Sequence, residues 1–206
     1  MVVAARTLEE GAGWVASRLG VETVAGGKHA LMGTHNRLLG LGRDAYLEVI
    51  AIDPAAPAPG RARWFALDSP AMRSRLEKGP ALIHWVARTD DIVAAARSAP
   101  VALGEVVAAE RGDYRWRITV PGDGSLPAGG AFPTLIQWDV EKRPAAALAE
   151  SGCRIESLEL HHEKSAELLA ALRTLGLPPE EPVVASGTGG GLKLLLRTPG
   201  GTSTLA

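Results

Sequence analysis

The sequence predicts an α+β fold made of two modules, each consisting of a strand, a helix and then a run of strands. Residues 2–20 give the first strand and helix, and residues 81–100 give the second pair. The letters repeat as well, because VAART at 3–7 is answered by VART at 86–89. A repeated order of elements with repeated letters indicates an internal duplication. The alternative is an α+β protein whose strand–helix joins resemble one another by chance.

Capping signals define the first helix. Thr7 and Glu10 form a capping box, in which each side chain satisfies a backbone N–H at the helix start, and Gly20 ends the helix. A glycine-rich passage then leads into a predicted antiparallel hairpin, HNRLLGL and YLEVIAI, joined by a turn at 42–44. Alternating apolar residues on both sides of a Gly- and Asp-containing turn are typical of hairpins.

The remaining chain gives two further segments. PAAPAPG after Asp53 is a linker, because proline cannot join a sheet interior, and Ser69-Pro70 opens a short helix. A third, shorter copy follows the second module, with a strand at SLELHH, a leucine-striped helix and a final hairpin in VVASGTGGGLKLLLRT. The predicted organisation is 1–53 (first βαβββ module), 54–80 (linker and helix), 81–140 (second βαβββ module) and 141–206 (third, partial copy packed into the same domain).

Composition limits the class of partner. The 206 residues carry 22 basic and 23 acidic side chains, a formal charge of −1, and the basic residues are scattered singly. Nucleic acids and anionic membranes require clustered Lys and Arg, so neither partner is expected. The single Cys153 suits a reducing compartment, and the N-terminus resembles no signal peptide, so a cytoplasmic protein is predicted.

Glu48 is the unusual residue of the predicted hairpin. It lies between Tyr46 and Ile50 on one face of an otherwise apolar strand. Both faces are apolar enough to be covered, so the carboxylate is expected to be at least partly buried. A buried carboxylate needs a partner or a metal, or it must take up a proton.

Several stretches resemble a known family. GGKHALMGTHN, YLEVIAIDP and PTLIQWD are similar to the glyoxalase-like domain family of the vicinal-oxygen-chelate superfamily, which also includes glyoxalase I, extradiol dioxygenases and bleomycin-resistance proteins. The resemblance spans nearly the whole chain. It implies two half-open, curved mixed sheets that face each other around a cavity.

The resemblance also implies a metal site. Metal-binding members place ligands on the first and last strands of each module, so Glu48, His84 and Gln137 are the implied ligands, with Glu48 also the catalytic proton carrier. The first-strand histidine of the first module is missing, since alignment on the capping threonines puts Val2 at its place and alignment on the helix stripes puts the place just before Met1. One anionic and two neutral donors form a weak set, so a divalent metal of unknown identity is expected to be weakly held or absent. His84 is alternatively a core histidine bonded to Glu48, and Gln137 a satisfied polar group.

Two functions remain open at this point. One is metal-assisted lyase, isomerase or oxygenase chemistry, and the other is binding or sequestration of a small ligand without chemistry. The small molecule is the predicted partner, and a homodimer is allowed. The predicted ligand-binding residues are His29, Thr34, His35, Asn36, Tyr46, Arg115 and Trp138. His29 is alternatively a loop residue without chemistry, and Arg115 alternatively belongs to a solvated edge. His35 is either a replacement metal ligand or an exposed or pocket-lining histidine.

Overall fold

The structure, a computed structural model, describes residues 1–176, 183–186 and 190–206. The helices are α1 (Leu8–Leu19), α2 (Pro70–Glu77), α3 (Ile92–Ser98), α4 (Pro144–Ala147) and α5 (Ser165–Arg173), with a 3-10 helix at Pro127–Gly130. The strands are β1 (Val2–Ala4), β2 (Val24–His29), β3 (Thr34–Gly40), β4 (Tyr46–Ile52), β5 (Ala81–His84), β6 (Val86–Arg88), β7 (Glu105–Arg111), β8 (Tyr114–Val120), β9 (Thr134–Trp138), β10 (Arg154–His162), β11 (Val183–Ser186), β12 (Gly191–Thr198) and β13 (Gly201–Leu205).

The first sheet has the order β2-β3-β4-β1-β5. Its helix α1 forms as predicted, because the Thr7 hydroxyl accepts the backbone N–H of Glu10 at 3.1 Å and Gly20 closes the helix at a φ of 68°. The predicted hairpin is β3 and β4, paired in antiparallel register. The glycine-rich passage before it is itself a strand, β2, because its two glycines leave room for β3 side chains.

The second sheet has the order β6-β9-β8-β7 and repeats the pairing of the first module. In both modules the first strand lies parallel to the last, with β1 beside β4 and β6 beside β9. The predicted strand ALIHWVART divides at Trp85. Its first part, β5, pairs with β1 of the first sheet, and only its second part, β6, begins the second sheet.

The third sheet has the order β11-β10-β12-β13. The predicted hairpin between VVAS and LKLLLRT is wrong, because β10 lies between β11 and β12. Helix α5 returns the chain so that β11 lies parallel to β10 on one edge, as strand–helix–strand connections do, and β12 takes the other edge. The terminal hairpin is β12 with β13, and the predicted glycine turn lies partly at 187–189, outside the described residues.

The first sheet has two covered faces. On one face Val3, Leu47 and Val49 pack with α1 and with apolar residues of the third sheet, in the larger hydrophobic cluster. On the other face Val2 and Ile50 join a second cluster, to which the second sheet contributes its own apolar face. This second cluster surrounds the space between the first two sheets.

The predicted fold class is therefore confirmed, with paired βαβββ sheets and a third, differently ordered sheet beside them. The predicted segment boundaries and the homodimer stay predictions. Among the helices that the structure describes, none has the length and apolar character needed to cross a membrane.

Candidate ligand-binding cleft between the first two sheets

A cleft opens between the first two sheets, where β2 lies beside β7. About 480 Å³ at this cleft is free of protein atoms, a volume that includes the open solvent at its mouth. Its lining consists of the polar residues His29, Asn36, Glu48 and Arg111, the aromatic residues Tyr46, Trp64, Phe65, Trp116 and Trp138, and the aliphatic residues Leu38, Val86, Ile118 and Ile136. The polar residues come from both modules.

Aromatic side chains form most of the wall. Three of the five tryptophans of the chain line the cleft, although only 4% of the residues are aromatic. Trp116 and Trp138 lie with ring centroids 5.5 Å apart, and Trp64 stacks on Phe65 at 5.6 Å. Such walls favour a flat, apolar ligand, since stacked and edge-on ring contacts add to the free energy of burial.

The segment that carries Trp64 and Phe65 has an unusual backbone. Phe65 and Ala66 both have positive φ values, 58° and 56°. Conformations of this kind cost on the order of 1–3 kcal/mol each and persist only where other contacts fix them. Here the Arg63 guanidinium donates to Asp68 Oδ1 at 2.7 Å, and the backbone N–H of Arg63 donates to Asp68 Oδ2 at 2.8 Å. This local ion pair holds the two rings against the cleft.

Glu48 lies in the wall of the cleft on β4, with 13% of its side chain exposed. The expectation of a partly buried carboxylate is therefore confirmed. Its Oε1 accepts a hydrogen bond from Asn36 Nδ2 at 2.6 Å, while Oε2 receives none from the described residues. Burial raises the pKa of Glu48, and the Asn36 hydrogen bond opposes that rise. A carboxylate with one oxygen fixed and one free is suited to accept a proton.

Two glycines hold Asn36 in place. The backbone N–H of Gly27 donates to Asn36 Oδ1 at 2.8 Å. A Cβ atom at Gly26 would lie 2.0 Å from the same oxygen, which no side chain could tolerate. The Gly-Gly pair therefore makes the close approach of β2 to the Asn36 amide possible. The amide nitrogen is thereby directed at Glu48.

His29 lies beside Asn36, 6% exposed. Its Nε2 is 3.3 Å from Arg111 NH1, which can only donate, so Nε2 must be the unprotonated nitrogen. Nδ1 then carries the proton and donates to Thr34 Oγ1 at 3.1 Å. Burial, followed by the Arg111 charge, lowers the pKa of His29 to about 3. The imidazole is therefore neutral and acts as a hydrogen-bond acceptor within the cleft.

Five predicted site residues line this cleft, namely Glu48, His29, Asn36, Tyr46 and Trp138. Thr34 lies behind His29 as its acceptor. His35 and Arg115 do not line the cleft. His35 alternates with Thr34 and Asn36 along β3 and so points to the other face. Arg115 alternates with Trp116 on β8, is 55% exposed and pairs with Glu110, so its prediction as a contact in the cavity is wrong.

Gln137 does not lie in the cleft either. Its neighbours Ile136 and Trp138 line the cleft, so Gln137 faces the opposite side of β9, where its Oε1 accepts the backbone N–H of Ile92 at 2.9 Å. The strand register explains why the prediction that Gln137 lies in the cavity is wrong. Val2 pairs with Glu48 in the first module, and Val86 pairs with Thr134 in the second. Thr134 therefore takes the position of Glu48, and a slip of three residues reverses the face.

His84 is buried outside the cleft lining. It is 0% exposed, its Nε2 accepts the backbone N–H of Thr134 at 3.1 Å, and its Nδ1–H donates to Gly130 O at 3.2 Å. Burial lowers the pKa of His84 to about 3. Strand β1 lies between β4 and β5, which separates Glu48 from His84 by two strand spacings, about 9.5 Å. Both the predicted Glu48–His84 pair and the predicted convergence with Gln137 are wrong.

The comparison with protein families agrees with this architecture. Residues 1–176 match the family described as "Glyoxalase-like domain". This chain belongs to that glyoxalase-like family. None of the curated protein sequences compared with it matches.

Solved structures with a similar fold include a hypothetical protein from Staphylococcus aureus, at a TM-score of 0.61 and 15% identity over 92% of this chain and 85% of that one. Methylmalonyl-CoA epimerase from Mycobacterium tuberculosis gives a TM-score of 0.43 and 23% identity over 72% and 89%. The Streptomyces coelicolor methylmalonyl-CoA epimerase in complex with 2-nitronate-propionyl-CoA gives a TM-score of 0.41 and 17% identity, over 69% of this chain and 94% of that one. The first of these supports the fold of the glyoxalase-like chain.

The family resemblance implies a divalent metal, but the donor set of the cleft does not match that role. Glu48 is the one anionic donor in the lining. The neutral donors, His29 Nε2 and Asn36 Oδ1, are both occupied by Arg111 NH1, at 3.3 and 3.0 Å. In the described part of the chain no group of three His, Cys, Asp or Glu residues is placed to hold a metal. A site with one carboxylate and a neighbouring guanidinium charge is a poor fit for a divalent ion.

Arg111, Trp64 and Trp116 were not predicted as site residues. A signal for Arg111 and Trp116 exists in the alternation of β7 and β8. Ala109 pairs with Trp116, so Arg111, two residues later, shares its face and points into the same space. Trp64 follows an irregular linker with no periodic pattern, so the sequence carries no comparable signal for it.

Proposed function

We propose that this glyoxalase-like protein binds a small, flat, largely apolar molecule in the cleft between its first two sheets, without a metal. The observation that carries the proposal is the polar cluster at the base of aromatic walls, with Arg111 bonded to the donors that a metal would need. Ligand sites are typically apolar clefts with a few convergent polar groups. The ligand's body packs against Trp116 and Trp138, and its polar end meets Asn36, Glu48 and Arg111.

Binding is tested with a neutral aromatic probe, 2-naphthamide, titrated into chelator-treated protein and followed by calorimetry and saturation-transfer NMR. We expect the wild type to bind the probe and Trp116→Ala to lose at least about tenfold in affinity, because the variant removes a ring of the wall. Trp14→Ala is the matched control, since Trp14 lies on α1 outside the cleft. Equal affinity of the three proteins, or binding only after metal is added, would contradict the proposal.

A second candidate is proton transfer of the isomerase or lyase type, with Glu48 as general base. It is favoured by the free Oε2 atom and by the raised pKa of Glu48, because a base is most effective when its pKa approaches the operating pH. In this step Oε2 takes a proton from a carbon next to a carbonyl, and the C–H electron pair forms an enolate. Return of the proton to the same or an adjacent carbon completes the reaction.

The proton-transfer candidate predicts deuterium exchange into the methyl group of 2-acetonaphthone in D2O, followed by NMR. We expect the wild type to accelerate the exchange by 10² or more over Glu48→Gln, which keeps the shape and the Asn36 contact but cannot accept the proton. Glu156→Gln removes an exposed carboxylate on β10 and is the control. Exchange at the same rate in wild type and Glu48→Gln would leave binding alone as the function.

A further inference from the structure

Arg111 has no ion pair with the described residues, unlike several other arginines of the chain. Arg63, Arg115 and Arg117 each have a carboxylate partner, whereas no acidic oxygen of the described residues lies within 4 Å of the Arg111 guanidinium. Its NH1 donates to Asn36 Oδ1 and contacts His29 Nε2. A guanidinium has five N–H donors, so those on Nε and NH2 remain for another acceptor.

The position of Arg111 depends on a second glycine contact. A Cβ atom at Gly27 would lie 2.6 Å from Arg111 Cδ, so the arginine stem from β7 crosses over β2 where no side chain is present. Its guanidinium also lies against the Tyr114 ring at 5.6 Å. The two neutral acceptors, Asn36 and His29, fix the guanidinium without neutralising it. This arrangement preserves a positive charge at the wall of an apolar cleft.

Trp64 supplies an independent observation. The Trp64 ring is 4% exposed and lines the same cleft, and its Nε1–H is buried without an acceptor in the described part of the chain. A buried donor without a partner costs free energy, so such a group indicates an acceptor that arrives with a ligand or water. Two residues that line the cleft, Arg111 and Trp64, thus carry N–H donors that have no acceptor in the described part of the chain.

Glu48 is the one charge that would oppose an anion in this space. Its Oε1 is occupied by Asn36, and no ion pair within 4 Å links it to Arg111. In the described part of the chain the Arg111 guanidinium is therefore not neutralised by Glu48 and stays available to an anion.

We infer that the ligand is a small aromatic or similarly flat carboxylate, whose anionic group is bound by the free N–H donors of Arg111 and whose ring packs against the tryptophans. The inference rests on the proposed function and names the chemical class of its ligand. Planar carboxylates match the fork geometry of a guanidinium, and charge-assisted hydrogen bonds are stronger in a water-poor site. Arg111 is the residue that determines specificity for the anion.

The test compares two probes of the same shape, 2-naphthoate and neutral 2-naphthamide, by calorimetry at neutral pH. We expect the wild type to bind the naphthoate at least about tenfold more tightly, and Arg111→Met to reduce that ratio to about one while naphthamide binding persists. Arg115→Met is the matched control, because Arg115 lies on the neighbouring strand with its side chain on the other face. It should retain the wild-type ratio. Trp116→Ala should weaken both probes.

The outcomes distinguish a failure of the proposed binding function from a failure of the carboxylate inference. If neither probe binds the wild type, the proposed function itself fails. Equal binding of both probes to the wild type, or an unchanged preference in Arg111→Met, overturns the carboxylate inference and leaves the binding function standing. Should Arg111→Met fail to fold, Arg111→Lys serves in its place. Lysine keeps the charge but loses the fork geometry of the guanidinium. A preference for naphthoate over naphthamide that is weaker than in the wild type but still above one therefore supports the inference.

Discussion

Replacing His84 by alanine is expected to lower the free energy of unfolding by about 3–5 kcal/mol. Two effects add together. The variant removes a fully buried ring and leaves a cavity among well-packed residues. It also removes the partners of the Thr134 N–H and the Gly130 carbonyl, which would stay buried without hydrogen bonds. In a chain of this length such a loss lowers Tm by on the order of 10 °C.

Denaturant titration of wild type and variant measures this loss, with His161→Ala as the control. His161 lies on β10 with 37% of its side chain exposed, and substitutions at such sites usually change stability by less than about 0.5 kcal/mol. Chelator should not alter the difference between wild type and His84→Ala, since His84 is bonded to protein groups. A loss below about 1 kcal/mol, or one that appears only when metal is present, would refute the structural role of His84.

Much of the fold was predictable because local signals and the repeat agree. The capping box at Thr7, the glycine at 20 and the alternation through β3 and β4 each indicate the element that forms. The division of ALIHWVART between two sheets was not predictable in this way. An unbroken apolar run contains no mark of the point, Trp85, where the chain leaves one sheet for another. The predicted hairpin in the third sheet was wrong for a related reason, since the order of strands in a sheet depends on tertiary packing.

The cleft was half predictable. The motif residues Asn36 and Glu48 do meet, and the glycine pair before them has a steric reason in the space that Asn36 and Arg111 occupy. Matching the two modules by letters misassigned Gln137, because "LEV" and "IQW" align three residues away from the true pairing. Contacts across the module boundary, such as Arg111 with Asn36, depend on how the sheets meet and have no local signal.

The protein is expected to lose stability as the pH falls below about 6.5, because two buried histidines are neutral in the folded state. The pKa values of His29 and His84 are both lowered from 6.5 to about 3, in each case chiefly by burial. The unfolded chain therefore binds two protons that the folded protein excludes. The contribution of each neutral histidine to the free energy of unfolding is fully present above the pKa of the unfolded chain. It decreases as the pH falls towards the pKa of the folded protein. Between pH 7.0 and 5.5 the loss is about 1.25 kcal/mol for each histidine, or about 2.5 kcal/mol together.

Glu48 contributes with the opposite sign. Its pKa is raised, so the folded state binds its proton more readily than the unfolded chain, and its contribution to stability grows as the pH falls. The histidine contribution is therefore isolated by difference. Denaturant titrations at pH 7.0 and 5.5 should show a loss about 1.25 kcal/mol smaller in His29→Gln, and likewise in His84→Gln, than in the wild type. NMR titration of the wild-type imidazoles provides a second measurement that does not depend on the variants. If either buried imidazole takes up its proton near pH 6.5 in the folded protein, its assignment as a neutral acceptor is wrong, and for His29 the hydrogen bond from Arg111 could not exist as described.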